Sequence, residues 1–230
     1  MVLGAYIRLL PAMNYGIELD ANDPWVEYWL TKYLVEHGLG SWYTLTADNP
    51  ATKAFWWPWG RDFYNSEYPG VPWFAAATAA LGRSLGFDVK EWTALQPVIF
   101  ACVAILLVFL LVKRLAGTAA GLVAAYMFAA MPGTSERTIV GFVEKTGVAI
   151  PLVYAYFLLF GMACDGRLEG WARYVVSAAA GVMLGLIGFF WGGVHFMIAV
   201  TAAYFLIMPI FREPGEKEWL QYLLLRSEGR

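Results

Sequence analysis

The sequence has only two cysteines and two histidines. Cys102 and Cys164 sit far apart in apolar runs, so they read as buried small hydrophobes rather than as a disulfide or a metal pair. With His37 and His195 as the only histidines, a serine or cysteine nucleophile has no credible base partner. His195, beside Trp191-Gly192-Gly193, reads as a satisfied or solvent-facing residue. Charge is also scarce: Asp, Glu, Lys and Arg make up 15% of the chain and the net charge is −2. That excludes an ordinary soluble domain and leaves no electrostatic case for nucleic acid. There is no Walker-type loop, no HExxH, no dinucleotide fingerprint, no internal repeat and no low-complexity linker.

Apolar and aromatic residues dominate instead. The 230 residues are 60% hydrophobic and 17% aromatic, the composition of an all-α polytopic membrane protein. Met1 to Ala12 is apolar, is interrupted by Arg8 and is too short to span, so 1–13 reads as the end of a first membrane helix. Uncharged spans follow at Ala94 to Val112, Leu115 to Met131 and Thr146 to Cys164. Tyr174 to Phe211 is too long for one span of about 20 residues, and Trp191-Gly192-Gly193 divides it. The sequence therefore predicts five complete helices within 94–212, and a cytoplasmic tail or connection at 213–230.

Basic residues fall on alternate turns: Lys113-Arg114, then Arg167 and Arg173, then Arg212 and Lys217. By the positive-inside rule these turns face the cytoplasm. The opposite, external side then receives a large first loop with interfacial helices, 14–93, and a second loop at 132–146. Ten of the eighteen acidic residues lie between Glu18 and Glu91, so carboxylates concentrate on that side.

The first loop opens with ELDANDPWVEYWLTKYLVEH, Glu18 to His37, which puts Glu18, Asp20 and Asp23 into six residues. A helix is expected behind them, with Asp23 as N-cap, Pro24 at the first helical position and Gly38 as the stop. Its aromatic residues suit a membrane–water interface. Two readings of Asp23 stay open: a cap, or a carboxylate at the mouth of a membrane site that binds a cation or polarises a substrate. Downstream, AFWWPWGR (Ala54 to Arg61) sets three tryptophans beside an arginine, which suits either interfacial anchoring or cover for a sugar or lipid headgroup. Tyr68-Pro69-Gly70 then opens a short uncharged run to Gly82, expected as an interfacial or partly inserted helix.

The second loop reads MPGTSERTIVGFVEKTG, Met131 to Gly147. Glu144 just before a helix complements the helix dipole, an effect of about 0.3–1 kcal/mol. Alternatively it is a second carboxylate that meets Asp23 and shares Mg²⁺ or Mn²⁺. Arg137 is placed to hold Glu144 or to meet a phosphate.

ANDPWVEYWLTKYLVEHG, WWPWGR followed by EYPG, and SERTIVGFVEKTG resemble, in order and spacing, the catalytic subunit of oligosaccharyltransferase. The resemblance, archaeal and single-subunit in flavour, implies a GT-C-type glycosyltransferase transmembrane bundle. It implies transfer of an oligosaccharide from a dolichyl or polyprenyl (di)phosphate carrier to the Asn side chain of Asn-X-Ser/Thr acceptors, metal-dependent and inverting, at the external face of a cell membrane. It implies catalytic roles for Asp23 and Arg137, a Mn²⁺ or Mg²⁺ site at Asp23, Glu144 and Thr146, and substrate binding at Trp57, Arg61 and Tyr68. Two departures stand out: Glu144 lengthens a ligand usually supplied by Asp, and Thr146 stands where a second acid or a histidine is usual. The family's later external acid, carrier-binding arginine and WWD-bearing domain have no counterpart here, so the chain reads as an N-terminal part that would not turn over by itself. A protein O-mannosyltransferase or another lipid-linked sugar transferase would share the early external acids. A non-catalytic scaffold or a transporter half would leave Asp23 and Glu144 apart, and the departures at Glu144 and Thr146 also fit an inactive paralogue.

Overall fold

Every regular element among the described residues of the computed structural model is helical; it describes residues 1–211, with side chains to residue 208. The expected tail at 213–230 lies outside the described residues. In chain order the helices are α1 Val2–Tyr15, α2 Asn22–His37, α3 Phe63–Ser66, α4 Gly70–Ala77, α5 Ala79–Ser84, α6 Val89–Ala130, α7 Pro132–Ser135, α8 Lys145–Cys164, α9 Trp171–Phe190 and α10 Val194–Phe211. Three of them, α6, α8 and α9, are long and apolar enough to cross a membrane, and Val194–Met208 is a shorter apolar helix. The chain divides into two compact units: Met1–Cys102 with Ala130–Val148, and Val103–Ala129 with the residues from Ala149 onward.

The first unit is built on α2. Val26, Leu30, Tyr33 and Leu34 recur at helical spacing and face a small core with Trp42, Leu45 and Phe63, against which Trp73 and Ala76 of α4 also pack. Burial of Leu30 or Leu34 stabilises this core by about 1.5–3 kcal/mol each. Several α2 aromatics are part of this core. Trp29 stacks on Tyr33 and Phe63 and meets Phe55 edge-on, with ring centres 5.6, 5.7 and 4.9 Å away. The helix begins two residues earlier than its sequence suggests, at Asn22 instead of Pro24. Ala21, at φ 69, stands at the N-cap without a side-chain bond, and Asp23 lies inside the first turn. Asp23 is therefore not the cap: Asn22 already has helical geometry, which leaves the Asp23 carboxylate outside the capping position. Gly38, at φ 85, ends the helix. Beyond it the chain makes two short 3₁₀ turns, Leu39–Thr44 and Pro50–Ala54, and the uncharged run before Gly82 forms two short helices, α4 and α5, broken at Thr78.

In the second unit α6 turns back on itself at Gly117, whose φ of 88 no helix accommodates. In a straight helix Ile105 and Phe128 would be about 35 Å apart. Instead they share one core with Ala104, Val108 and Ala129, and a Cβ on Gly121 would press on the Phe109 carbonyl oxygen. α8, α9 and α10 form the other core, through Tyr156, Phe160, Ala180, Leu184, Ile187, Met197 and Phe205. The fully buried Ser177 and Ala180 suit close approach of α9 to its neighbours. The Tyr156 hydroxyl hydrogen-bonds the Thr201 hydroxyl across α8 and α10. α9 stops where Trp191 becomes extended, and Gly193 is required because a side chain there would collide with the Trp191 ring. Cys102 and Cys164, in different units, are both half-buried thiols.

Candidate functional site

The second acidic loop is sewn to the segments that lead into α2, all within the first unit. The Val140 amide donates to the Arg8 carbonyl, the Gly141 amide to the Ala94 carbonyl, and the Asp20 amide to the Gly141 carbonyl, at 3.0, 2.9 and 3.0 Å. Arg8 is fully buried, and its Nε donates to the Thr138 hydroxyl at 2.7 Å. Gly141 is needed at the centre of this junction. It sits at φ 87, and a Cβ would overlap the Glu18 carbonyl oxygen.

That junction delivers Lys145, the residue after Glu144, to α2. Lys145 Nζ lies 3.3 Å from Glu27 Oε1, and Glu27 is one helical turn beyond Asp23 on the same face. Lys145 also reaches Glu67 Oε2 at 2.6 Å, and Glu67 forms a second ion pair with Arg61. The Arg61 guanidinium lies over the rings of Trp56 and Phe63, 5.2 and 4.8 Å from their centres. Glu144 is a quarter exposed and is held by Arg137, whose Nη1 is 3.2 Å from its Oε2 and whose guanidinium also lies over Phe142. Asp23 is exposed, Thr146 is half-buried, Trp57 is 74% exposed, and Tyr68 is half-buried.

Glu27 is the residue that sequence reading passed over. Its carboxyl is 3% exposed, and Oε2 has no hydrogen-bond partner among the described residues. Burial raises it from 4.5 to about 7 against the downward pull of Lys145, and the Asp23 carboxylate adds a smaller upward push. The folded state thus holds this proton more tightly than the unfolded chain does. The stabilising contribution of Glu27 is whole below its ordinary range and is lost as pH rises from about 4.5 to about 7. Glu27→Gln should therefore gain melting temperature relative to the unmodified protein on going from pH 5 to pH 8. A difference that stays constant across that range would mean that Glu27 ionises normally. Its spacing of four from Asp23 was the available sequence signal. Lys145 lay hidden as a loop charge.

Among the described residues, no three of His, Cys, Asp and Glu gather as a metal site. What the loops bring to one unit is the Asp23 and Glu144 carboxylates with the Thr146 hydroxyl. These are hard oxygen donors of the kind that fit Mg²⁺ or Mn²⁺ with water in the remaining positions.

The described residues together define a class, an all-α protein with three helices long and apolar enough to cross a membrane. Two solved structures share the fold. One is the Archaeoglobus fulgidus oligosaccharyltransferase in complex with Zn and sulfate, with a TM-score of 0.76 and 18% identity over 99% of this chain and 29% of that one. The other is the archaeal oligosaccharyltransferase AglB from the same organism with an inhibitory peptide and a dolichol-phosphate, with a TM-score of 0.75 and 18% identity over 99% of this chain and 27% of that one. The family description "Oligosaccharyl transferase STT3, N-terminal" matches residues 4–221, and the chain belongs to that family. Among curated relatives, the rice dolichyl-diphosphooligosaccharide–protein glycosyltransferase subunit STT3B is 27% identical over 96% of this chain, and the Arabidopsis thaliana STT3B subunit 29% over 96%. The chain spans 30% and 29% of the length of these two relatives.

Proposed function

We propose that this chain supplies the acceptor-side acids of an enzyme that moves an oligosaccharide from a lipid-linked phosphate carrier to the side chain of Asn in Asn-X-Ser/Thr, at the external face of a cell membrane. The observation that carries the reading is the junction of loop 132–146 with α2, through the contact of Lys145 with Glu27. It ties the segment bearing Glu144 to the helix bearing Asp23. The carrier named with AglB and the family membership support the lipid-linked donor.

In this reading the Asp23 carboxylate accepts a hydrogen bond from the acceptor carboxamide N–H and turns the nitrogen toward the anomeric carbon. The new C–N bond forms as the bond from that carbon to the carrier phosphate oxygen breaks, its electron pair leaving with the phosphate and the amide proton passing to the Asp23 carboxylate, with inversion and no covalent enzyme intermediate. Exposed Arg137 keeps Glu144 in place and offers its remaining N–H groups to the phosphate. Trp57, Arg61 and Tyr68 would border the bound substrates. Asp23, Glu144 and Thr146 would hold Mn²⁺ or Mg²⁺, which when bound supplies charge neutralisation to the departing phosphate.

The test uses the protein at its native length in membranes, with a lipid-linked oligosaccharide and a fluorescent Asn-X-Thr peptide. The expected result is N-linked glycopeptide that chelation abolishes and Mn²⁺ or Mg²⁺ restores. An O-linked hexose product would move the chain to the O-mannosyltransferase reading. No product under any cation would leave an inactive paralogue.

A further inference from the structure

Lys145 stands between two carboxylates that water scarcely reaches. Its ammonium is 2.6 Å from Glu67 and 3.3 Å from Glu27, whose side chains are 8% and 3% exposed. Glu67 also pairs with Arg61. Drawing these groups out of water costs several kcal/mol per ion, and an apolar cluster of the same volume commonly stabilises as well or better. Stability alone is therefore a poor reason for the network. Registry is a better one, because charges paired at close range permit one arrangement of the segments that carry them. Three segments meet here: the first turns of α2, the stretch from Arg61 to Glu67, and the first residue of α8. Glu144 is the residue before Lys145, so clamping one fixes the backbone of the other to within a Cα–Cα step of about 3.8 Å.

We propose that Lys145 is a positioning residue: held by Glu27 and Glu67, it fixes Glu144 at the Asp23 end of α2 and so sets the affinity of the two acids for a divalent cation. This rests on the reading of Asp23 and Glu144 as acids of one site. Arg137 cannot take over the task. It holds the Glu144 carboxylate from within the same loop, and among the described residues it makes no ion pair with α2. Without the ammonium, Glu27 holds its proton still more tightly, and the start of α8 loses its tie to α2.

The test is Mn²⁺ binding, read by electron paramagnetic resonance on the native-length protein in lipid nanodiscs. The variants are Lys145→Met, Lys145→Arg and Asp23→Ala. Lys145→Met should weaken binding about tenfold. Lys145→Arg should keep most of the affinity, and Asp23→Ala should lose it. Glu27→Gln with Lys145→Met removes the tie while Glu67 keeps Arg61. It serves where the single change fails to fold, and should show the same tenfold loss with a near-normal melting temperature. Unchanged binding in both Lys145 variants, with loss in Asp23→Ala, would overturn the positioning role and leave the shared site intact. A protein that binds no Mn²⁺, or binds it equally well without Asp23, would overturn the shared site itself.

Discussion

Replacing Asp23 with alanine is expected to abolish glycopeptide formation while leaving the protein folded. The carboxylate is exposed and lies in the first turn of α2 without capping it. Its structural worth is then the charge–dipole interaction at a helix N-terminus, about 0.3–1 kcal/mol. In the proposed reaction it orients and polarises the attacking amide and shares the cation site. Loss of a group in that position lowers turnover by about a hundredfold to ten-thousandfold. The measurement is initial rate against peptide concentration at saturating Mn²⁺, with a melting curve alongside. The fall should appear mainly in kcat. Near-normal turnover in a folded Asp23→Ala protein would refute the role. Asp23→Asn keeps the shape without the charge and should resemble alanine in rate.

Gly141→Ala is the second large effect, and it acts through the backbone. Gly141 sits at φ 87, donates its amide to Ala94 and accepts from the Asp20 amide, and a Cβ on it would lie 2.1 Å from the Glu18 carbonyl oxygen. A left-handed conformation costs a residue with a Cβ about 1–2 kcal/mol. Here the new methyl group would also overlap a backbone oxygen, so one strand of the junction must move. The combined loss should be on the order of 3 kcal/mol or more, which is large for a one-carbon change. Both loops are tied at this residue, so cation affinity should fall together with the melting temperature. A Gly141→Ala protein with unchanged stability would show that the loop relaxes freely, and the junction would then not be what holds the acids.

The fold class was legible because scarcity of charge and long apolar runs leave few other solutions. The break near Trp191-Gly192-Gly193 was legible for a similar reason, since glycines interrupt an otherwise continuous run. Gly38 as the end of α2 followed from its tolerance of positive φ. The start of α2 was not legible. Asp-Pro is a strong start signal, yet the chain turns at Ala21, an alanine at positive φ that no propensity marks. The aromatic helix misled in another way. Its rings read as an interfacial belt, but Trp29 joins a core with Phe55 and Phe63, which lie in the long loop and have no periodic relation to it. The site was half legible. Asp23, Arg137 and Glu144 stood out by motif. The Glu27–Lys145–Glu67 network did not, because each charge alone resembles a solvated loop residue and only tertiary approach removes the water. Arg8 was hidden by distance in the chain from its partner.

That distance has a consequence for synthesis. Arg8 is enclosed on every side and its side chain is bound to a threonine 130 residues further on. At about 5–20 residues per second, the ribosome delivers that threonine roughly 6 to 26 seconds later. Throughout that interval α1 carries a guanidinium whose long-range partner has not yet been synthesised.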